Sequence, residues 1–138
     1  MISMKEILGP YKLEDQDQAT RVNLNILLAK MNAVRSLYGK PLTVTSGLRA
    51  KADQIRIYAA KGITDLAKIP MGSKHLRGQA VDFSDPKREF QAWCTAHEKE
   101  LREIGIWMES FDATKNWVHM QSVPYGSYKE GGSLWFNP

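Results

Sequence analysis

The sequence has little of what secreted, membrane-inserted or nucleic-acid-binding chains depend on. It contains one cysteine, Cys94, so no internal disulfide can form and nothing indicates folding in an oxidising compartment. No apolar run approaches the length that spans a bilayer, which predicts a protein without membrane insertion. Blocks of like charge and basic stretches interleaved with aromatic residues are also missing, so we expect no nucleic-acid partner.

The start of the chain lacks the charged-then-apolar pattern of a signal peptide, which predicts synthesis in the cytoplasm. The net charge of +4 is modest and favours an acidic polymer such as a bacterial cell wall. A length of 138 residues predicts one domain, spanning residues 1–138, that buries a core without disulfides. We expect this domain to be a monomer.

The pattern of apolar residues predicts an α+β fold. Helices are expected over about 16–38 and 52–60 and from 86 to 104, and strands over 42–45 and 81–83. Segments 106–111 and 116–121 alternate like the two strands of a hairpin, and 134–136 could add an edge strand. We therefore predict a small, mainly antiparallel sheet with a C-terminal hairpin, packed against two to four helices. The long first helix is expected to bury Ala19, Val22, Ile26, Leu27, Met31, Val34 and Tyr38.

One short stretch combines two good ligands for a small divalent cation. His75 and Asp82 lie seven positions apart, and Gly78 between them permits a tight turn because it can adopt positive φ. The residues around Asp82 suit a strand. Taken alone, the stretch fits either a metal site or a solvated histidine followed by a capping aspartate.

His119 supplies the third expected ligand. It lies on the second hairpin strand, where Trp117 and Gln121 share its face. Three protein ligands and one open position are the arrangement of a catalytic zinc, whereas structural zinc sites are usually closed by four ligands. The remaining histidine, His97, lies on or beside an apolar helical stripe and is expected to pack there, as is the thiol of Cys94.

Three elements of the sequence resemble the zinc peptidases of the D-alanyl-D-alanine carboxypeptidase group. This group includes vancomycin-resistance dipeptidases and phage L-alanyl-D-glutamate endopeptidases, and it shares its fold with the hedgehog signalling domain. The resemblance covers roughly residues 42–121. Its elements are Ser73-x-His75-x-x-Gly78-x-Ala80-x-Asp82, the later Trp117-x-His119, and the upstream Ser46-Gly47-Leu48-Arg49, which matches the family's S-G-x-R.

The resemblance implies that His75, Asp82 and His119 bind one Zn²⁺, which activates water for attack on a peptide carbonyl. It implies that Arg49 stabilises the oxyanion or holds a substrate carboxylate. Ser73 would orient the His75 loop or the substrate, and Trp117 would contact the substrate. The expected substrates are peptidoglycan stem peptides, and neither endopeptidase nor carboxypeptidase action is singled out.

The general base is where this sequence departs from the family. Many members carry Glu or Asp three residues before the last histidine, and here that position is Asn116, which cannot accept the proton. Our first candidate is Glu109, because a five-residue hairpin turn would set it opposite His119. A four-residue turn would place it on the wrong face. Asp112, in the turn, is the second candidate.

Two functions are therefore open. The first is a zinc peptidase of the cell wall, in a phage setting, released at lysis or carried in a virion. The alternative is a catalytically inactive metal-binding domain that recognises cell wall or a protein partner, which Asn116 favours.

Overall fold

The computed structural model describes all 138 residues and confirms the α+β class. The five helices are α1 (Met4–Leu8), α2 (Gln18–Tyr38), α3 (Lys51–Ala60), α4 (Glu89–Ala96) and α5 (Glu98–Ile104). The five strands are β1 (Val44–Ser46), β2 (Ala80–Ser84), β3 (Trp107–Glu109), β4 (Trp117–Gln121) and β5 (Trp135–Phe136). None of the helices combines the length and apolar character that a membrane crossing requires.

The strands form one sheet in the order β1-β2-β4-β3-β5. Every neighbouring pair is antiparallel except β3 and β5, which are parallel. The predicted hairpin is β3 and β4, whose register pairs Trp107 with Gln121 and Met108 with Met120. Strand β4 therefore lies at the centre of the sheet, between β2 and the hairpin partner.

Side chains alternate between the two faces of these strands, and this separates the core from the site. Val81, Phe83, Val118 and Met120 are buried in the apolar core. Asp82 and His119 fall between them in sequence and point to the opposite face of the sheet. The fold thus places chemistry-bearing side chains on a rigid platform whose other face is packed against helices.

Helix α2 covers the predicted span but buries a different stripe. It is capped by Asp17, whose carboxylate accepts from the Thr20 N–H at 2.7 Å, and it ends at Gly39 with φ +74°. Leu24, which the sequence analysis left out, is fully buried, whereas Val22 and Ile26 are 50% and 46% exposed. The prediction of a buried Ala19, Val22 and Ile26 is wrong, since all three are exposed; two apolar stripes on this helix obey helical spacing. Tertiary packing selects the stripe of Leu24, Leu27, Met31 and Val34.

The helix predicted from 86 to 104 divides into α4 and α5 at His97, whose φ of −119° interrupts the helical backbone. Asp85 acts as a cap from upstream, its carboxylate accepting from the N–H groups of Phe90 and Gln91 at 3.1 and 2.8 Å. The His97 ring stacks on Trp93 at 4.3 Å and donates to its carbonyl. His97 therefore packs at the helix junction and lies outside the predicted metal set.

Candidate metal centre

The three predicted ligands meet on the polar face of the sheet. Asp82 of β2 is the direct cross-strand partner of His119 of β4, and Oδ1 of Asp82 lies 2.9 Å from Nδ1 of His119. The same oxygen lies 3.2 Å from Nε2 of His75. All three side chains are buried, with 3–6% of their surface exposed.

His75 is delivered by a 3₁₀ turn over Lys74–Arg77 that precedes β2. The Ser73 hydroxyl accepts from the His75 N–H at 3.3 Å, and the turn ends at Gly78, whose φ of +71° is the positive value expected for the glycine. The Arg49 N–H donates to the His75 carbonyl at 3.1 Å. The Ser73 hydroxyl therefore caps the turn that carries His75, and its two expected roles stay predictions.

The geometry and chemistry of this set fit a small divalent cation. The ligand atoms all lie within 4.8 Å of one another. A tetrahedral zinc with bonds of about 2.0–2.2 Å separates its ligands by roughly 3.4 Å, so small side-chain shifts suffice. Nδ1 of His75 lies 2.8 Å from the Gly47 carbonyl, which can only accept, so this nitrogen carries a proton and Nε2 is the nitrogen left to bind a cation.

The electrostatics of the His-Asp-His set follow from its burial and mutual contacts. Burial would raise the pKa of Asp82, but the hydrogen bonds and charges of His119 and His75 hold it well below its usual range. Burial would lower the pKa of His119, but Asp82 outweighs this effect and raises it. A carboxylate between two imidazoles thus attracts positive charge, as a cation site must.

Arg49 lies beside the ligands and not on the outer surface. Its Nη2 is 3.4 Å from Oδ2 of Asp82, and its Nε donates to the Ser46 hydroxyl at 3.0 Å. Only 20% of the side chain is exposed. Strand β1 ends at Ser46, so the residues of the S-G-x-R element hold a guanidinium at the edge of the ligand set.

A cavity of about 770 Å³ opens above the ligands. Ser73, Trp117 and Arg49, the predicted substrate contacts, all line it. The other lining residues include an aromatic pair, Tyr125 and Phe136, and two further cations, Lys61 and Lys74. This volume is in the range of small-molecule pockets.

The two candidate bases are placed differently. Continuing the β3–β4 register by one residue sets Glu109 opposite His119, and Glu109 lines the cavity. Its charge also contributes to the raised pKa of His119. Asp112 is exposed in the turn, where its N–H donates to the Ser110 hydroxyl, and it is absent from the cavity lining. Asn116 is exposed, and its carbonyl accepts from the Asp85 N–H.

Two groups beside the ligands were missed by sequence reasoning. One is the Gly47 carbonyl that accepts from His75. The other is the Gln121 side chain, which contacts His119. A backbone carbonyl has no residue-type signal at all. Gln121 did have a sequence signal, because strand alternation placed it on the same face as His119. That signal alone did not predict the hydrogen bond between the two side chains.

A buried His-Asp-His set beneath an open cavity defines a candidate catalytic metal centre, of the kind found in metal-dependent hydrolases. The sequence profile of the family Peptidase M15 matches residues 11–121, most of the chain. The chain belongs to this family of metallopeptidases, which confirms the resemblance seen in its motifs. No curated protein and no solved structure gives a significant match.

Proposed function

We propose that this chain is a zinc-dependent peptidase that hydrolyses peptidoglycan stem peptides, of the D-alanyl-D-alanine carboxypeptidase or L-alanyl-D-glutamate endopeptidase type. The observation that carries the proposal is the buried set of His75, Asp82 and His119, open on one side to the cavity. When bound there, Zn²⁺ supplies Lewis acidity and lowers the pKa of water toward about 7.

The protein groups around the set have the properties that peptide hydrolysis requires. Glu109 is the proposed general base: its carboxylate takes a proton from the attacking water and later gives it to the amine nitrogen as the C–N bond breaks. Arg49 stabilises the negative charge that develops on the carbonyl oxygen, or holds a substrate carboxylate. Trp117, which lines the cavity, is proposed to contact the peptide.

The charge of the cavity supports an acidic peptide as substrate. Three cationic side chains, Arg49, Lys61 and Lys74, line it, against Glu109 as the one acidic side chain outside the metal set. The Lys61 ammonium lies over the Tyr58 ring at 4.7 Å from its centroid, which positions it at the wall. Peptides that bear free carboxylates are attracted to such a surface.

The proposed setting is the bacterial cell wall, reached after phage-type release or as part of a virion. The net charge of +4 supports contact with an acidic polymer. The competing function is a metal-binding domain without activity, which Asn116 at the family's base position favours.

Purified peptidoglycan tests the proposal through the release of new amino groups, followed with and without a chelator. Chelator-sensitive release, restored by zinc and lost in His119→Ala, is the expected result. His97→Ala is the matched control, because this histidine packs on Trp93, and it should keep its activity. If no amino groups are released while zinc is fully bound, the peptidase proposal is wrong and the inactive metal-binding domain is favoured. Mass spectrometry of the products separates released D-alanine from cleavage after L-alanine.

A further inference from the structure

The side chain of Gln121 joins His119 to the backbone beyond β4. Gln121 is only 2% exposed and lies two residues after His119 on the same face of the strand. Its Oε1 is 2.9 Å from Nε2 of His119, and its Nε2 donates to the Val123 carbonyl at 2.8 Å. The amide therefore lies between one imidazole nitrogen and one carbonyl oxygen.

Only one orientation of this amide satisfies both neighbours. Turning it over would bring Oε1 against the Val123 carbonyl, two acceptors with no proton between them. The Val123 carbonyl thus requires the NH₂ group on its side, which leaves Oε1 facing His119. Since Oε1 can only accept, Nε2 of His119 must carry a proton and donate it.

This hydrogen bond determines which nitrogen of His119 is free for a metal. With the proton on Nε2, the lone pair of the neutral ring lies on Nδ1, the atom 2.9 Å from Asp82. At His75 the Gly47 carbonyl accepts from Nδ1, which leaves Nε2 as the nitrogen for a metal. Each histidine therefore presents its lone pair to the centre of the set because a carbonyl oxygen holds its other nitrogen.

We propose that Gln121 is a positioning residue for the metal centre: it fixes the protonated nitrogen and the ring orientation of His119, so that Nδ1 is the ligand. This inference rests on the proposed metal site and extends it to a residue outside the set of His75, Asp82 and His119. Loss of such an outer hydrogen bond typically weakens metal binding by about 10–100-fold.

Two variants separate the acceptor from the space that the side chain fills. Gln121→Met has a similar length and no carbonyl, and we expect zinc affinity, measured by competition with a chelator, to fall by about 10–100-fold. Gln121→Glu keeps an oxygen acceptor toward His119 but loses the donor to the Val123 carbonyl, so its zinc affinity should lie between those of the unsubstituted protein and Gln121→Met. Gln54→Met is the matched control, because Gln54 is a buried glutamine of the same cavity that donates to the Pro70 carbonyl and contacts no ligand.

The outcomes distinguish this inference from the proposed function. If the unsubstituted protein binds no zinc, the proposed function fails. If it binds zinc and Gln121→Met binds it equally well, or Gln121→Glu loses as much affinity as Gln121→Met, only the role of Gln121 is overturned. Should Gln121→Met fail to fold, the imidazole ¹⁵N chemical shifts of the unsubstituted, zinc-loaded protein still show which nitrogen of His119 binds the metal. Coordination of His119 through Nδ1 with a hydrogen-bonded Nε2–H supports the inference, and coordination through Nε2 overturns it.

Discussion

Asp82 and His119 are direct partners across β2 and β4, and the aspartate Oδ1 lies 2.9 Å from the histidine Nδ1. Two of the three predicted ligands thus come from adjacent strands of one sheet. A site built on paired strands is held more accurately than one built on loops. The third ligand, His75, depends on a turn that is held by hydrogen bonds to the Ser46–Arg49 segment.

Removing the charge of Asp82 should weaken metal binding without unfolding the protein. Asp82→Asn keeps the size of the side chain but removes the anionic ligand between the two imidazoles, and we expect a fall of more than about 100-fold in zinc affinity, beyond the range for outer partners. Asp85→Asn is the control, because this buried carboxylate caps α4. It should cost about 1 kcal/mol of stability and leave zinc affinity unchanged. Equal zinc affinities in the two variants would contradict the assignment of Asp82.

Replacing Glu109 should separate catalysis from metal binding. Glu109→Gln removes the proposed base, so kcat on peptidoglycan peptides should fall by about 10²–10⁴-fold while bound zinc, measured by elemental analysis, is retained. Asp112→Asn, in the exposed turn, should stay close to the unsubstituted protein. Full activity in Glu109→Gln, with His119→Ala inactive, would exclude Glu109 as the base and make Asp112 the next residue to test.

The close approach of Gly47 to α1 gives a third prediction. A Cβ on this residue would lie 2.1 Å from the Ile7 carbonyl oxygen, a backbone atom that cannot move aside cheaply. Gly47→Ala should therefore lose about 1–3 kcal/mol of stability, measured by chemical denaturation. It should also weaken zinc binding, because the displaced carbonyl no longer accepts from His75. Gly126→Ala, where a Cβ meets nothing within 4 Å, should change neither quantity.

The candidate ligands could be chosen from the sequence because each lies in an element that the local sequence indicates, whereas their meeting depends on the pairing of β2 with β4. A turn permitted by Gly78 followed by a strand brings His75 near Asp82, and strand alternation puts His119 on one face with Gln121. For Glu109 the sequence left two positions open, opposite His119 or on the other face of the sheet. It depends on the length of a turn between two strands, which the structure resolves through the pairing of Trp107 with Gln121.

Other features depend on tertiary contacts that no local pattern contains. Val22 and Leu24 both suit an amphipathic helix, and only tertiary packing decides that Leu24 is the buried one. Leu24 packs so closely on Gly78 that a Cβ on the glycine would lie 2.8 Å from the Cγ of Leu24. The carbonyl of Gly47 reaches His75 across 28 residues of chain. The helix predicted to begin at residue 86 begins at Glu89, because residues 86–88 form a turn and the Asp85 carboxylate caps α4 from four residues before Glu89.

Cys94 should be unreactive in the native protein. It is fully buried, and burial, together with the charge of Asp85, raises the pKa of its thiol far above the ordinary value. The reactive thiolate is therefore absent at neutral pH. Alkylation by iodoacetamide, followed by intact mass, should be slow in native protein and fast in denaturant. Rapid labelling of the native protein would contradict the predicted packing of α4.

Asp53 and Tyr11 should make stability depend on pH at the start of α3. The Asp53 carboxylate accepts from the Tyr11 hydroxyl and from the Ala50 N–H, and these bonds lower its pKa. A carboxyl group with a lowered folded pKa contributes stability above its unfolded pKa of about 4, and this is lost as the pH falls through the folded value. The raised pKa of Tyr11, caused first by the hydrogen bond to Asp53, means that its contribution is present below about pH 10 and lost above it.

Tyr11→Phe tests this pairing. Between about pH 5 and 9, the variant should be less stable by about 0.5–1.5 kcal/mol in denaturant titrations, the usual net value of one hydrogen bond. The difference should shrink as the pH falls below about 4, because protonated Asp53 is a poorer acceptor. The double variant with Asp53→Asn serves as the control and should lose less than the sum of the two single losses, since the two side chains share one interaction. Strict additivity, or a difference that does not change with pH, would show that the Tyr11 hydroxyl does not stabilise the charged form of Asp53.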